Sequence, residues 1–171
     1  MNQYIRSILP ETFDDSMKIR MVDPMEIFAA KGNALITRAA ARDLYDWCNM
    51  LSEGLFEEQR DLFRKCFLFY MTISADTLNK SFDTSAIDTL DFNKIRRDLF
   101  PVLNKKDNFQ LDERKKIAKN YISDLMVLTT KEKEYLDRFE EKKYMPELLF
   151  EDAEIVERVK NHPMALWKCK E

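Results

Sequence analysis

Glycine is nearly absent from this sequence, with 2 glycines among 171 residues. Tight turns between β-strands need residues that tolerate positive φ angles, chiefly glycine, so this scarcity argues against an all-β fold. It favours long helices with short connections. It also excludes a glycine-rich phosphate-binding loop and a Rossmann dinucleotide-binding fingerprint in this sequence.

Histidine and cysteine are also scarce. His162 is the only histidine, and the three cysteines, Cys48, Cys66 and Cys169, are far apart and lack CxxC spacing. This pattern gives little support to a zinc site, a disulfide framework or a histidine-based triad, so no metal site is predicted in this chain. Free thiols suit a reducing compartment, and we therefore expect a cytoplasmic protein.

Long apolar runs and a strong charge of one sign are missing as well. No run approaches the roughly 20 apolar residues that span a bilayer, and no basic segment followed by an apolar one opens the sequence, so we expect neither membrane contact nor a secretory signal. The net charge is -3, which excludes an extreme polycation but not a local basic patch.

Helical periodicity covers most of the sequence and predicts an all-α bundle of six to eight helices. Asp23 and Pro24 predict the N-cap and first position of a helix that runs to about Arg38. Further helices are predicted over 40–54 and 56–74, and Thr130 is the expected N-cap of a later one. The Ser- and Asp-rich segment 75–92 is expected to be a loop.

Aromatic residues lie on the apolar faces of these helices. We expect them to form core rather than a stacking platform: Trp47, Phe63, Phe67, Phe69 and Tyr70. Near the C-terminus, His162-Pro163 is expected to cap or end a helix, and Met164, Leu166 and Trp167 to fold back as a hydrophobic clasp.

Met17–Val22 alternate apolar and charged residues and form the one strand-like stretch. An unpaired strand exposes backbone N–H and C=O groups, so we expect this stretch to pair with a second copy of the chain, giving a homodimer, or to be disordered. The sequence is accordingly divided into residues 1–22 and a helical domain, residues 23–171.

Lys31 lies on the same face of the first predicted helix as Ile27, Ala34 and Leu35. One interpretation is that its stem is buried and its ammonium reaches water. The other is a positive charge held in a crevice to meet phosphate oxygens.

Asp43 and Asp46 are three residues apart in the first turns of the second predicted helix. Acidic residues there complement the positive end of the helix dipole. The functional alternative is a carboxylate that faces Lys31 and acts on a hydroxyl or holds a metal.

The stretch VDPMEIFAAKGNALITRAAARDLYD resembles the AbiEii family of bacterial abortive-infection nucleotidyltransferase toxins, in its lysine followed by Arg-Asp-x-x-Asp. The segments RRDLFPVLNKKDNFQLDE, YMPELLF and HPMALWK resemble the C-terminal helical region of that family. The resemblance implies the toxin of a toxin–antitoxin pair, using GTP or another NTP with Mg²⁺ and adding nucleotides to tRNA. It implies that Lys31 and Arg42 serve nucleotide binding and that Asp43, or as second choice Asp46, is the catalytic carboxylate.

The sequence also departs from this family. It has no Gly-Gly or Gly-Ser turn and no Asp-x-Asp pair, and two-metal phosphoryl chemistry depends on such carboxylates. We therefore expect a C-terminal part without the N-terminal catalytic half, with residues 1–22 as a remnant of that half. Alone, it would be inactive and would bind no NTP tightly. The alternative is a non-enzymatic helical module that binds an antitoxin or RNA.

Charge is unevenly distributed. Residues 94–119 contain four acidic and nine basic side chains: Lys94, Arg96, Arg97, Lys105, Lys106, Arg114, Lys115, Lys116 and Lys119. This asymmetry indicates a face for tRNA, with Lys94, Arg96, Arg97, Lys105, Lys106, Lys115 and Lys116 as candidates, or else a solvated helix face. Residues 131–158 are acidic instead and are a candidate surface for a basic antitoxin.

Overall fold

The computed structural model describes residues 21–74, 77–103 and 109–170. Regular structure in these residues is entirely helical, which confirms the predicted all-α fold. The described part has nine α-helices, and two 3₁₀ turns at Phe100–Val102 and Pro146–Leu148. In chain order the α-helices are α1 Pro24–Thr37, α2 Ala41–Ser52, α3 Arg60–Ser74, α4 Ser85–Asp88, α5 Phe92–Asp98, α6 Leu111–Leu125, α7 Thr130–Glu140, α8 Ala153–Val159 and α9 Pro163–Lys170.

The predicted strand lies almost wholly outside the described residues. Of Met17–Val22 only Met21 and Val22 are described, and both are exposed and without regular secondary structure. The pairing with a second copy and the division of the chain at residue 22 therefore stay predictions.

The start of α1 is as predicted. The Asp23 carboxylate accepts a hydrogen bond of 2.8 Å from the backbone N–H of Met25, and Pro24 occupies the first helical position. Side-chain capping satisfies one of the N–H groups that a helix start leaves without a partner. This cap fixes where α1 begins and therefore which of its residues face α2 and α3.

The core is centred on Trp47 of α2, which is fully buried, as predicted. Its ring lies 5.8 Å from that of Phe63 and 6.0 Å from those of Phe67 and Tyr121, centroid to centroid, which brings α2, α3 and α6 together. The predicted core aromatics Phe63, Phe67 and Phe69 are buried, and Tyr70 is half-buried at the edge.

A buried amide joins α1 to α3. The Asn33 side chain donates hydrogen bonds to the backbone carbonyls of Ala29, at 3.1 Å, and Phe67, at 2.8 Å. Because a buried polar group without a partner is costly, these bonds specify how α1 lies against α3.

Three local predictions were wrong. Segment 75–92 contains the short helix α4, because Ile87 and Leu90 are buried in the core despite their polar neighbours. Thr129 rather than Thr130 caps α7. Met164 and Trp167 are 44% and 51% exposed, so the predicted clasp does not close over them, and Ala165 is the residue of α9 that is buried.

Candidate functional site

An open groove of about 410 Å³ follows the exposed face of α1. Its walls are Lys31 from α1, Arg38 directly after that helix, Asp43 from α2 and Tyr70 from α3, with Glu26 at one end. Residues three, four and seven apart lie on one face of a helix, which is why Lys31, Ala34 and Arg38 share this groove.

Lys31 forms an ion pair with Asp46 across the link between α1 and α2. The Lys31 Nζ atom lies 2.5 Å from Asp46 Oδ2, and the two side chains are 34% and 36% exposed. The geometry is compatible with both interpretations of Lys31. The stem of the side chain is partly buried, and its ammonium pairs with a carboxylate at a position that solvent and ligands can reach.

Arg38 pairs with Asp43 in the same groove. The Nε and Nη2 atoms of Arg38 lie 3.3 and 3.2 Å from Asp43 Oδ2. The side chain of Asp43 is 8% exposed whereas that of Arg38 is 69% exposed, so a buried carboxylate is neutralised by a cation that faces solvent. Asp43 and Asp46 thus have separate partners, although they are neighbours on α2.

Arg42 lies elsewhere. Its Nε donates a 3.1 Å hydrogen bond to the backbone carbonyl of Asp98, at the C-terminal end of α5. Arg42 is absent from the residues that line the groove, so the structure brings together Lys31, Asp43 and Asp46 but not Arg42. Sequence reasoning missed Arg38, although its spacing of seven residues from Lys31 was a usable signal.

Glu26 closes the groove at the start of α1. One oxygen of its carboxylate accepts a 2.8 Å hydrogen bond from the Tyr70 hydroxyl, and the other lies 3.3 Å from Arg158 Nη2 of α8. Burial, together with this hydrogen bond to a carboxylate, raises the pKa of the Tyr70 hydroxyl above its usual value, so Tyr70 is a neutral donor at physiological pH.

The carboxylates of the groove do not form a metal site with three protein ligands. Among the described residues, no group of three or more His, Cys, Asp or Glu side chains is placed to hold a metal ion.

A sequence model of one protein family matches residues 2–142, and its description is nucleotidyl transferase AbiEii toxin, type IV TA system. The match covers most of the chain, including every residue that lines the groove. The chain belongs to the AbiEii family. The resemblance seen in the Lys31 and Arg-Asp-x-x-Asp motifs is confirmed by this match. Neither a search of curated proteins nor a search of solved structures found a match.

Family membership makes the chain a relative of nucleotidyltransferase toxins from type IV toxin–antitoxin systems. In the described ranges, no helix has the length and apolar character needed to cross a membrane.

The basic residues of this AbiEii-family chain are partly neutralised within the fold. Arg97 contacts the Asp98 carboxylate through Nε and Nη2, at 2.6 and 2.8 Å. Lys94 and Lys115 donate to the backbone carbonyls of Thr89 and Asp88. Arg96 and Lys116 are exposed and have no ion-pair partner among the described residues. Lys105 and Lys106 lie outside the described residues.

Proposed function

We propose that this chain forms one wall of the NTP site of an AbiEii-family nucleotidyltransferase. Lys31 and Arg38 bind phosphate oxygens, Asp43 is the catalytic carboxylate, and Asp46 positions Lys31. The observation that supports this proposal is that Lys31 and Arg38 line one open groove, each paired with a carboxylate of α2, Asp46 and Asp43.

The existing ion pairs are compatible with phosphate binding. An ammonium has three N–H donors and a guanidinium has five. Lys31 gives one donor to Asp46, and Arg38 directs Nε and Nη2 at a single oxygen of Asp43. The remaining donors of both side chains are available to phosphate oxygens. The carboxylates hold the cations in position, which reduces the entropy lost when a triphosphate binds.

The chemistry assigned to Asp43 is proton transfer. In nucleotide transfer to RNA, a hydroxyl oxygen of the RNA attacks the α-phosphorus of the NTP, and pyrophosphate leaves with the electron pair of the broken P–O bond. A carboxylate within reach of the hydroxyl accepts its proton. Asp43 is the more buried of the two carboxylates and lines the groove, which favours it over Asp46 for this role. Arg42 acts at a distance by tying α2 to α5.

Equilibrium binding of labelled GTP to the chain, with and without Mg²⁺, tests the phosphate wall. We expect Lys31→Ala to weaken binding at least tenfold, because it removes a charge-assisted contact. Lys80→Ala is a matched control, since its ammonium pairs with Asp137 and Glu140 outside the groove and its loss should not change affinity. Equal GTP affinity of wild type and Lys31→Ala would contradict the assignment.

A non-enzymatic helical module is the second candidate. It is favoured by the lack of an Asp-x-Asp pair in the sequence and of a three-ligand metal cluster in the described residues. One experiment discriminates the two candidates. An AbiEii-type catalytic half that contains the Gly-Ser and Asp-x-Asp motifs is added to this chain as a separate polypeptide, and nucleotide transfer is measured. Nucleotide transfer to tRNA that depends on Asp43 supports the enzyme, and continued inactivity supports the module.

The partners follow from the family and the charge pattern. A toxin of a type IV system has an antitoxin, for which the acidic stretch 131–158 is our candidate surface. The basic stretch 94–119 is the candidate surface for tRNA. We assign the protein to the cytoplasm because its cysteines are free thiols, and to abortive infection because of its family. Homodimer formation through Met17–Val22 is tested by measuring the molar mass in solution.

A further inference from the structure

A second cavity, of about 370 Å³, lies at the N-terminal end of α1, next to the groove. Its volume falls within the range of small-molecule sites. We infer that this cavity holds the nucleobase and ribose of the NTP whose phosphates lie at Lys31 and Arg38. The inference rests on the proposed function and adds to it the residues that would contact the base.

The cavity and the groove share a wall. Glu26 and Tyr70 line both, and their 2.8 Å hydrogen bond forms the ridge between them. Lys31 is five residues after Glu26, about 7.5 Å further along the helix axis at 1.5 Å of rise per residue. One elongated ligand with an aromatic end and an anionic end therefore fits the two sites in sequence.

The floor of the cavity suits a flat heteroaromatic group. Phe69 makes edge-to-face contacts with Phe150, at 6.2 Å between centroids, and with His162, at 5.2 Å. Leu62, Ile155 and Val159 complete the apolar lining. Aromatic side chains stabilise bases by stacking and edge contacts, which tolerate any base because each has a π-face.

Hydrogen-bond donors and acceptors surround this floor. His162 lines the cavity, and its Nδ1 atom is buried without a hydrogen-bond partner among the described residues. Arg158 and Gln59 add donors and an acceptor at the rim.

Cys66 contributes a neutral surface to the same cavity. Burial is the main cause that raises the pKa of its thiol to about 12, and the nearby Glu26 carboxylate adds to this effect. The thiol is therefore protonated at physiological pH and adds no charge that would repel or attract a base.

Binding of separate ligand parts tests the inference on the whole chain. The probes are GTP, inorganic tripolyphosphate and each of the four ribonucleosides without phosphate. Ile155→Trp places a large ring in the cavity from half-buried α8, and Val127→Trp is the control at an exposed position outside both sites. We expect Ile155→Trp to weaken nucleoside and GTP binding at least tenfold without changing tripolyphosphate binding, and Lys31→Ala to weaken GTP and tripolyphosphate binding only.

These outcomes separate the two proposals. If GTP and tripolyphosphate bind equally well and Ile155→Trp changes neither, the base lies elsewhere, and the cavity inference is overturned while the phosphate wall stands. If a nucleoside binds and Ile155→Trp removes it, but Lys31→Ala changes nothing, the phosphate assignment fails and the cavity is a nucleoside site only. If no nucleoside binds, the inference is wrong.

Amide hydrogen exchange in the wild-type chain provides a measurement that does not depend on a folded variant. A bound nucleoside should slow exchange of the backbone amides of α8, which lines the cavity through Ile155, Arg158 and Val159, and leave those of α7, outside the cavity, unaffected. Equal rates with and without nucleoside would contradict occupancy of this cavity.

Discussion

At the scale of single residues, close packing outweighs helix propensity at Gly32. Gly32 lies in the middle of α1, where glycine is unfavourable by about 1 kcal/mol relative to alanine. A Cβ atom at this position would lie 2.5 Å from Trp47 Cη2 and 2.6 Å from Phe67 Cε2. Glycine is required here because the rings of α2 and α3 occupy the space of a side chain.

Gly32→Ala should therefore destabilise the protein. Overpacking a core costs about 1–3 kcal/mol, and two rigid rings place this position at the upper end before the better helix propensity of alanine is subtracted. We expect a net loss of about 2 kcal/mol in the free energy of unfolding by urea, with a change in the fluorescence of buried Trp47.

Gly54→Ala is the matched control. Gly54 has a φ of +63°, and a Cβ there meets only the Glu57 side chain, at 3.5 Å or more. The expected loss of about 1 kcal/mol comes from the backbone alone, and Trp47 emission should stay unchanged. Wild-type stability of Gly32→Ala would show that the rings move aside and that the close approach is not needed.

At the scale of elements, helix ends fix which residues face one another. The α7 start is a capping box: the Thr129 hydroxyl accepts from Glu132 N–H at 3.3 Å, and the Glu132 carboxylate accepts from Thr129 N–H at 2.7 Å. Glu132 also pairs with Arg64 of α3, 2.9 Å from its Nε, and is almost fully buried. One carboxylate thus caps the start of a helix and joins two elements.

Substitutions at this cap should have graded costs. Thr129→Ala is expected to lose about 1 kcal/mol of unfolding free energy, as for other N-caps. Glu132→Ala should lose about 3 kcal/mol, because it also leaves the mostly buried Arg64 without this partner. Thr130→Ala, one residue along, should change stability by less than about 0.5 kcal/mol. Equal costs at Thr129 and Thr130, measured by urea unfolding, would contradict this account of the cap.

At the scale of the whole molecule, folding redistributes charge that the sequence places together. Asp88 and Asp98 neutralise part of the basic stretch 94–119, through Lys119 and Arg97. Arg96 and Lys116 remain exposed without ion-pair partners in the described residues. An anionic partner should therefore depend on these two side chains more than on the others.

Binding of tRNA as a function of salt tests this distribution. Counterion release makes the logarithm of affinity fall linearly with the logarithm of salt concentration. We expect Arg96→Ala and Lys116→Ala each to reduce that slope by about 1, the effect of losing one phosphate contact. Arg97→Ala should reduce it less, because Asp98 already holds that guanidinium. Binding that is independent of salt, or no binding, would contradict a tRNA surface on this stretch.

Local patterns in the sequence were enough to predict the helical class, the start of α1, the burial of Trp47 in the core and the family. These depend on local periodicity, on a cap two residues from its partner and on a contiguous motif. The pairing of the site residues depends on packing between helices and could not be predicted locally: Asp46 rather than Asp43 pairs with Lys31, Arg38 lines the groove, and Arg42 contacts α5 instead.

The same reason explains the cavity at the start of α1. Its walls come from α1, α3 and α8, and the contact between Glu26 and Arg158 joins residues 132 positions apart. No local sequence pattern predicts a contact between residues so far apart, because it depends on how the helices pack together. The helices can be read from the chain, and the site depends on how they pack.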